Sequence, residues 1–311
     1  MKSAQILVFI ICLSGFIANC YAGGDTLSLC FVSDTQEPLI FESAYLPYNN
    51  NWLARQLIFK SILDNSPKSV FHLGDLVGMG FLESEWGDID KFVNQLAARK
   101  ISFNPIPGNH EYLLFPNQGI SLFKNKFPEA DIHGYSKQFG NAAIVLFNSN
   151  FGELTEGEKN GELRWFIKTL RNFEADSQID FILVGCHHPP YTNSKIVGPS
   201  VYDTTMQKFL NAFNRTSKCR LFISGHAHTY EHFNVNNKDF LVIGGGGGLQ
   251  HPLFSGKDLR FNDLVKMPTD RRMFHYITIK VYKNSLWIDL NMVSEDFKGI
   301  KTIPQFTLYR K

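Results

Sequence analysis

Charge is sparse in this 311-residue chain: Asp, Glu, Lys and Arg make up 19% of it and leave a net charge of +2. No basic arm, acidic tail or Lys/Arg run interrupts that balance, so the charged surfaces through which proteins hold nucleic acid are missing. Cysteine is sparser still, five in all, and none falls in the CxxC spacing of structural zinc or iron–sulfur sites. Beyond residue 24 there is no linker-like stretch or repeat, and the only biased segment is the glycine run 244–248. Residues 23–311 therefore read as one domain.

Long apolar runs are absent apart from residues 6–17, which are short for a bilayer span and lack a stop-transfer flank. Lys2 precedes the run and Ala22-Gly23-Gly24 follows it, the layout of a secretory signal peptide over residues 1–22 with cleavage after Ala22. A lipid anchor at Cys20 is disfavoured, because Asn19 stands where a lipoprotein box needs a small residue. The mature chain is then expected to be secreted, extracellular or periplasmic, with no membrane span. It keeps Cys30, Cys186 and Cys219, each in or beside an apolar run and read as a small buried apolar residue.

What the chain has in quantity is apolar residues, 44% of the total, enough for a sizeable core. They come as short runs ending in polar clusters, at residues 27–33, 69–74, 101–108, 181–185 and 220–225, with similar runs at 142–147 and 240–243. Continuous runs of this length suit strands buried on both faces. Helical spacing appears between them, as in Ile89, Phe92, Val93 and Leu96, or Met206, Phe209, Leu210 and Phe213. Near the end, Ile277, Ile279 and Val281 alternate with polar residues before a Lys283-Asn284 turn and a second run, 286–290, predicting an antiparallel hairpin. The order is that of an α/β fold with mixed sheets.

Five run ends carry metal-type donors: Asp34; Asp75, after Gly74; Asn109 and His110, in Gly-Asn-His-Glu; His187 and His188; and His226 and His228, in Gly-His-Ala-His. Ligands of open α/β sheets gather at the carboxyl ends of strands, and a pool of carboxylate, amide and imidazole suits divalent metals. Any one piece has an ordinary alternative, such as a turn, a cap or a surface histidine. Five in series, each closing an apolar run, point to one site.

The series resembles the calcineurin-like metallophosphoesterase superfamily, whose pattern is Asp-x-His, Gly-Asp, Gly-Asn-His-(Glu/Asp), His and Gly-His-x-His. It covers about residues 28–230, and the glycine run, with Gly-His-Ala-His-Thr-Tyr-Glu at 225–231, is similar to purple acid phosphatases. The resemblance implies a four-layer αββα sandwich of two mixed β-sheets flanked by helices, and two divalent metal ions, Mn, Fe or Zn. It implies that Asp75 bridges the metals, that Asp34, Gln36 and His228 serve one, and that Asn109, His187 and His226 serve the other. His110 would face the substrate as the catalytic residue. Two departures stand out. Gln36 replaces the motif's imidazole with a harder amide donor, favouring Mn²⁺ or Fe²⁺. Gly78 occupies the place of the purple enzymes' tyrosine, so a purple Fe³⁺ centre is not expected.

A metal pair about 3.5–4 Å apart can share a hydroxide and clamp phosphate oxygens. The function expected is hydrolysis of a small phosphorylated substrate, foremost as a phosphomonoesterase of acid phosphatase type. The alternatives are a phosphodiesterase or nucleotide diphosphatase, prompted by Gln36, and a catalytically silent metal-binding protein. His188, Asn148 and Tyr191 are further candidates for substrate contact, with turn geometry and packing as the competing explanation. His72, inside an apolar run, is expected to be a buried strand residue.

Overall fold

The computed structural model describes residues 27–310 except Pro268; the signal-peptide expectation for residues 1–22 lies outside them. The expected apolar runs form the strands. In the first sheet β1 (Leu27–Val32), β2 (Ser69–His72) and β3 (Ser102–Pro105) run parallel. The antiparallel β10 (His275–Val281), β11 (Ser285–Val293) and β12 (Ile300–Tyr309) extend it, in the order β12-β11-β10-β1-β2-β3. The second sheet is ordered β4-β5-β6-β7-β9-β8, from β4 (Gly134–Phe139), β5 (Ala142–Phe147), β6 (Phe181–Cys186), β7 (Cys219–Ser224), β8 (Tyr230–Val235) and β9 (Lys238–Ile243). Its four central strands are parallel and its two edges antiparallel.

The sheets pack face to face. Leu29, Phe31, Phe71 and Leu73 of the first meet Leu146, Leu183, Ile223 and Leu241 of the second in one apolar layer. The opposite face of the first sheet is covered by α1 (Asn51–Asn65), α2 (Gly87–Ala98) and α4 (Pro116–Lys126), through Ile58, Ile62, Phe92 and Phe123. The second sheet is covered by α5 (Glu156–Ala175) and α6 (Thr204–Arg215), through Phe166, Leu170, Phe209 and Phe213. Strands covered on both sides must be apolar on both sides, which is why β5, β6 and β7 read as continuous runs. The result is the expected αββα sandwich. Helix starts are set locally: Thr155 and Glu158 form a capping box at α5, and the Asp203 carboxylate accepts from Thr205 N and Met206 N at α6.

Cys30, Cys186 and Cys219 are buried and unpaired, as expected of small apolar residues. His72 lies buried in β2, its Nε2 2.9 Å from Thr35 Oγ1. No helix among the described residues is long and apolar enough to cross a membrane.

Candidate metal centre

The carboxyl ends of β1, β2 and β3 face those of β6 and β7 across the seam between the sheets. The one-turn helix α3 (Asn109–Tyr112) starts just beyond β3. Chain reversal straight off a strand demands unusual backbone, and three of the donors adopt it themselves: Asp34, Asp75 and His226 have φ of 59°, 53° and 64°. Left-handed backbone at a non-glycine residue costs energy and persists only where surrounding bonds enforce it. Here Asp34 N donates to Gly74 O (3.1 Å), Thr35 N to Asp75 O (2.9 Å) and His226 N to the Asp34 carboxylate (2.9 and 3.0 Å).

Glu111 organises the second and third turns together. Its buried carboxylate accepts from Asp75 N (2.9 Å), Leu76 N (2.8 Å) and Gly108 N (2.7 Å), tying the Asp75 loop to the Asn109 loop. Burial and the neighbouring Asp75 charge push the Glu111 carboxyl up to about 7, against the pull of those N–H groups. In the sequence it is only the last residue of Gly-Asn-His-Glu.

The side chains then meet. His187 Nε2 is 3.1 Å from Asp75 Oδ2 and 3.0 Å from Asn109 Oδ1. His228 Nε2 lies 3.5 Å from Asp34 Oδ1. The His226 ring stands 5.0 Å from that of His187 and 4.5 Å from that of His188. Donor atoms of Asp34, Asp75 and His187 lie within 4.8 Å of one another, as do those of His187, His188 and His226. Gln36, oriented to satisfy its neighbours, donates its amide to the Asp34 and Asp75 carbonyls (3.2 and 3.1 Å) and turns its oxygen to His228 Nε2 (3.0 Å). All seven expected ligands are thus brought together, with His188 beside them.

Hydrogen bonding behind the rings fixes which nitrogen faces inward. His187 Nδ1 is 2.8 Å from Leu73 O, His228 Nδ1 2.8 Å from Leu249 O and His110 Nδ1 2.7 Å from Gly78 O. A carbonyl can only accept, so each Nδ1 carries the proton and each Nε2 is turned to the cluster, the arrangement that prepares histidines for metal. Bare Nε2 lone pairs aimed at carboxylate and amide oxygens repel unless a positive charge lies between. The titration behaviour reports that need. Burial opposes charge on His187, yet the Asp75 and Asp34 carboxylates outweigh it and raise its imidazole to about 9. His228 is raised despite burial by Asp34. Burial also works against ionised Asp75, but His187 and His110 hold it well below the usual carboxylate range. The outer imidazoles go the other way: burial and neighbouring histidines keep His188 near 3 and push His226 well down, leaving both neutral. Two carboxylates, two amides and the imidazoles form a donor set that fits divalent cations.

Burial splits the cluster. Asp34, Gln36, Asp75, His187 and His228 are buried, whereas Asn109, His188 and His226 are partly open. A cavity of about 490 Å³ begins beside Asn109 and His188. Ser149 Oγ sits 3.0 Å from His188 Nδ1 and accepts from His188 N (2.8 Å). Asn148 is not at the ligands: it is buried, donating from Nδ2 to the Tyr112 hydroxyl (2.8 Å), which lines the cavity. Tyr191 packs against Phe233, Phe240 and Phe261, so the structure does not bring it to the cluster. The glycine run lies beneath the ligands, with Gly246 N and Gly248 N donating to Ser33 O (3.0 Å) and Asp34 O (3.1 Å). A Cβ on Gly248 would strike the His228 ring. Gly78 is closed in as well: a Cβ there would lie 3.0 Å from Glu37 O and 3.1 Å from Leu39 Cδ2. His251, unpaired with any motif in the sequence, stacks on His228 at 4.4 Å and takes its backbone N–H on Nδ1 (3.2 Å).

Two mixed sheets converge at their strand ends on carboxylates, amides and imidazoles, side chains of the kind that could hold a metal ion. Residues 27–230 match the calcineurin-like phosphoesterases, and the chain belongs to that family. A curated relative, the "probable inactive purple acid phosphatase 9" of Arabidopsis thaliana, is 23% identical over 251 residues, covering 65% of this chain and 37% of the relative. Among solved structures, a purple acid phosphatase from yellow lupin (Lupinus luteus) seeds superposes with a TM-score of 0.69 at 17% identity, over 93% of this chain and 54% of that one. A dimetal phosphatase from Danio rerio gives 0.58 at 14% identity, over 90% and 99%. The chain spans about a third of the Arabidopsis relative and about half of the lupin chain, and at these identities the structural likeness is one of fold.

Proposed function

We propose that the chain is a secreted, metal-dependent phosphomonoesterase that holds two divalent cations at the seam. Asp75 would lie between them, with Asp34, Gln36 and His228 on the buried side and Asn109, His187 and His226 on the open side. The observation that carries this is the inward set of Nε2 atoms meeting Asp75, Asp34 and Asn109 at hydrogen-bonding range, each backed where it matters by a carbonyl on Nδ1. Bound there, the cations would lower the pKa of a water and neutralise phosphoryl oxygens.

The chain's own residues supply the rest. His110 donates from Nδ1 to Gly78 O, and its Nε2, 3.9 Å from Asp75 Oδ2, would give a proton to the departing oxygen when the ring is in its imidazolium form. Asn109 would turn its amide N–H to the phosphate while its oxygen faces the site. His188, braced by Ser149, would offer Nε2 to the same phosphate. Asn148 would act through Tyr112, by holding the phenol at the cavity wall. The amide oxygen of Gln36 in place of an imidazole favours Mn²⁺ or Fe²⁺ over Zn²⁺. The Arabidopsis relative is named as inactive, but a full donor set together with His110 supports turnover here.

The test is phosphate release from p-nitrophenyl phosphate by the mature chain, stripped with chelator and reloaded with Mn²⁺, Fe²⁺ or Zn²⁺. Turnover is expected with Mn²⁺ or Fe²⁺ and abolished on stripping. No release with any of the three, from protein that binds them, would leave a silent metal-binding protein.

A further inference from the structure

We propose that the cavity beside the metal centre selects phosphomonoesters of small ammonium-bearing alcohols and turns away nucleoside di- and triphosphates. This deepens the phosphomonoesterase reading and rests on it. With phosphate held near Asn109 and His188, the leaving group projects into the roughly 490 Å³ that these two residues open onto. Its lining includes the exposed carboxylates of Glu153 and Asp203, and no Lys or Arg is among the residues that line it. Asp203 is fixed there as the cap of α6, with Oδ1 accepting from Thr205 N and Met206 N at 2.8 Å each. Glu153 follows a turn closed by its own N–H on Asn150 O (2.9 Å) and is exposed.

Tyr112, Phe151 and Leu114 give the same lining an apolar part, beside the polar Ser149, Asn150 and Ser200. An alkylammonium group is served by both parts. Its carbons would lie on the apolar part, and its charge would be drawn to the carboxylates and to the aromatic rings. A distal phosphate arriving in the same space would face two negative charges with no cation to compensate them. Fields of this kind, focused by a low-dielectric cleft, alter substrate capture by about tenfold or more and weaken with ionic strength.

The experiment compares kcat/KM for phosphocholine and for ADP at low and high salt, with free Mn²⁺ held constant and p-nitrophenyl phosphate as the common reference. Phosphocholine is expected to exceed ADP by about tenfold at low salt, the gap closing as salt is raised. The double variant Glu153→Gln/Asp203→Asn, in which Asn retains the capping oxygen, should shrink the phosphocholine-to-ADP ratio several-fold. Equal use of the two by the unaltered chain, or a ratio that survives the double substitution, overturns the selectivity while turnover of p-nitrophenyl phosphate leaves the hydrolase reading standing. Failure to turn over any of the three brings both down.

Discussion

The two sheets bring different chemistry to one seam. The first supplies the oxygen donors Asp34, Gln36, Asp75 and Asn109 from the ends of β1, β2 and β3, whereas the second supplies the imidazoles of His187, His188, His226 and His228 from the ends of β6 and β7. Neither half is a site by itself. Carboxylates without cations repel one another, and neutral imidazoles hold no charge in place. Only when the sheets pack does His187 Nε2 come within 3.1 Å of Asp75 Oδ2. Metal binding should therefore report on sheet packing, and bound metal should stabilise the packed form by mass action.

The comparison breaks most completely from the oxygen side. Asp75→Ala should reduce metal content from about two ions per chain towards none and take phosphatase activity to background, read by elemental analysis and phosphate release. A content still near two would remove Asp75 from the bridging position. His110→Ala separates chemistry from binding. It belongs to the first sheet's segment but is not placed as a ligand, so turnover should fall about 10²–10⁴-fold with metal content unchanged.

The seam itself is tested by Gly225→Ala. A Cβ at this second-sheet position would strike Ser33 and the Asp34 carboxylate of the first sheet, wedging the halves apart. Overpacking of this kind costs about 1–3 kcal/mol. Both a lower Tm and weaker Mn²⁺ binding are expected, and a change in Tm alone would mean that the wedge is absorbed elsewhere.

The effect farthest from the chemistry lies behind the second sheet, where buried Glu162 of α5 accepts Asn148 N through Oε1 (2.5 Å). Burial raises its carboxyl from 4.5 to about 9, despite that bond. The folded chain therefore keeps a proton that the unfolded chain loses, so this group's contribution is whole below about pH 4.5 and declines as pH rises to about 9. Glu162→Gln should flatten the fall in Tm between pH 5 and pH 8 measured by calorimetry. An unchanged slope would place the proton loss elsewhere.

The same division explains what the sequence disclosed. Every proposed ligand position was legible because each closes or follows a short apolar run, and the central strands were legible because burial on both faces leaves them almost wholly apolar. The edge strands β4 and β12 were not. One side of each lacks a partner, polar residues such as Ser136, Lys137 and Gln138 are tolerated in β4, and Pro304 sits in β12, where a missing N–H can face outward. Glu111, Ser149 and His251 were also missed as supports, because each acts on a segment distant in the chain: Glu111 on Asp75, Ser149 on His188, His251 on His228. Tyr191 shows the converse. It follows the proposed ligand His187 closely in sequence, yet its ring belongs to the aromatic layer over the second sheet.

Anomalous diffraction from crystals grown with Mn²⁺ tests the central claim most directly. The account predicts two peaks about 3.5–4 Å apart, with Asp75 between them, Gln36 and His228 at one and His187 and His226 at the other. A single peak away from Asp75, or none along the seam, would contradict it.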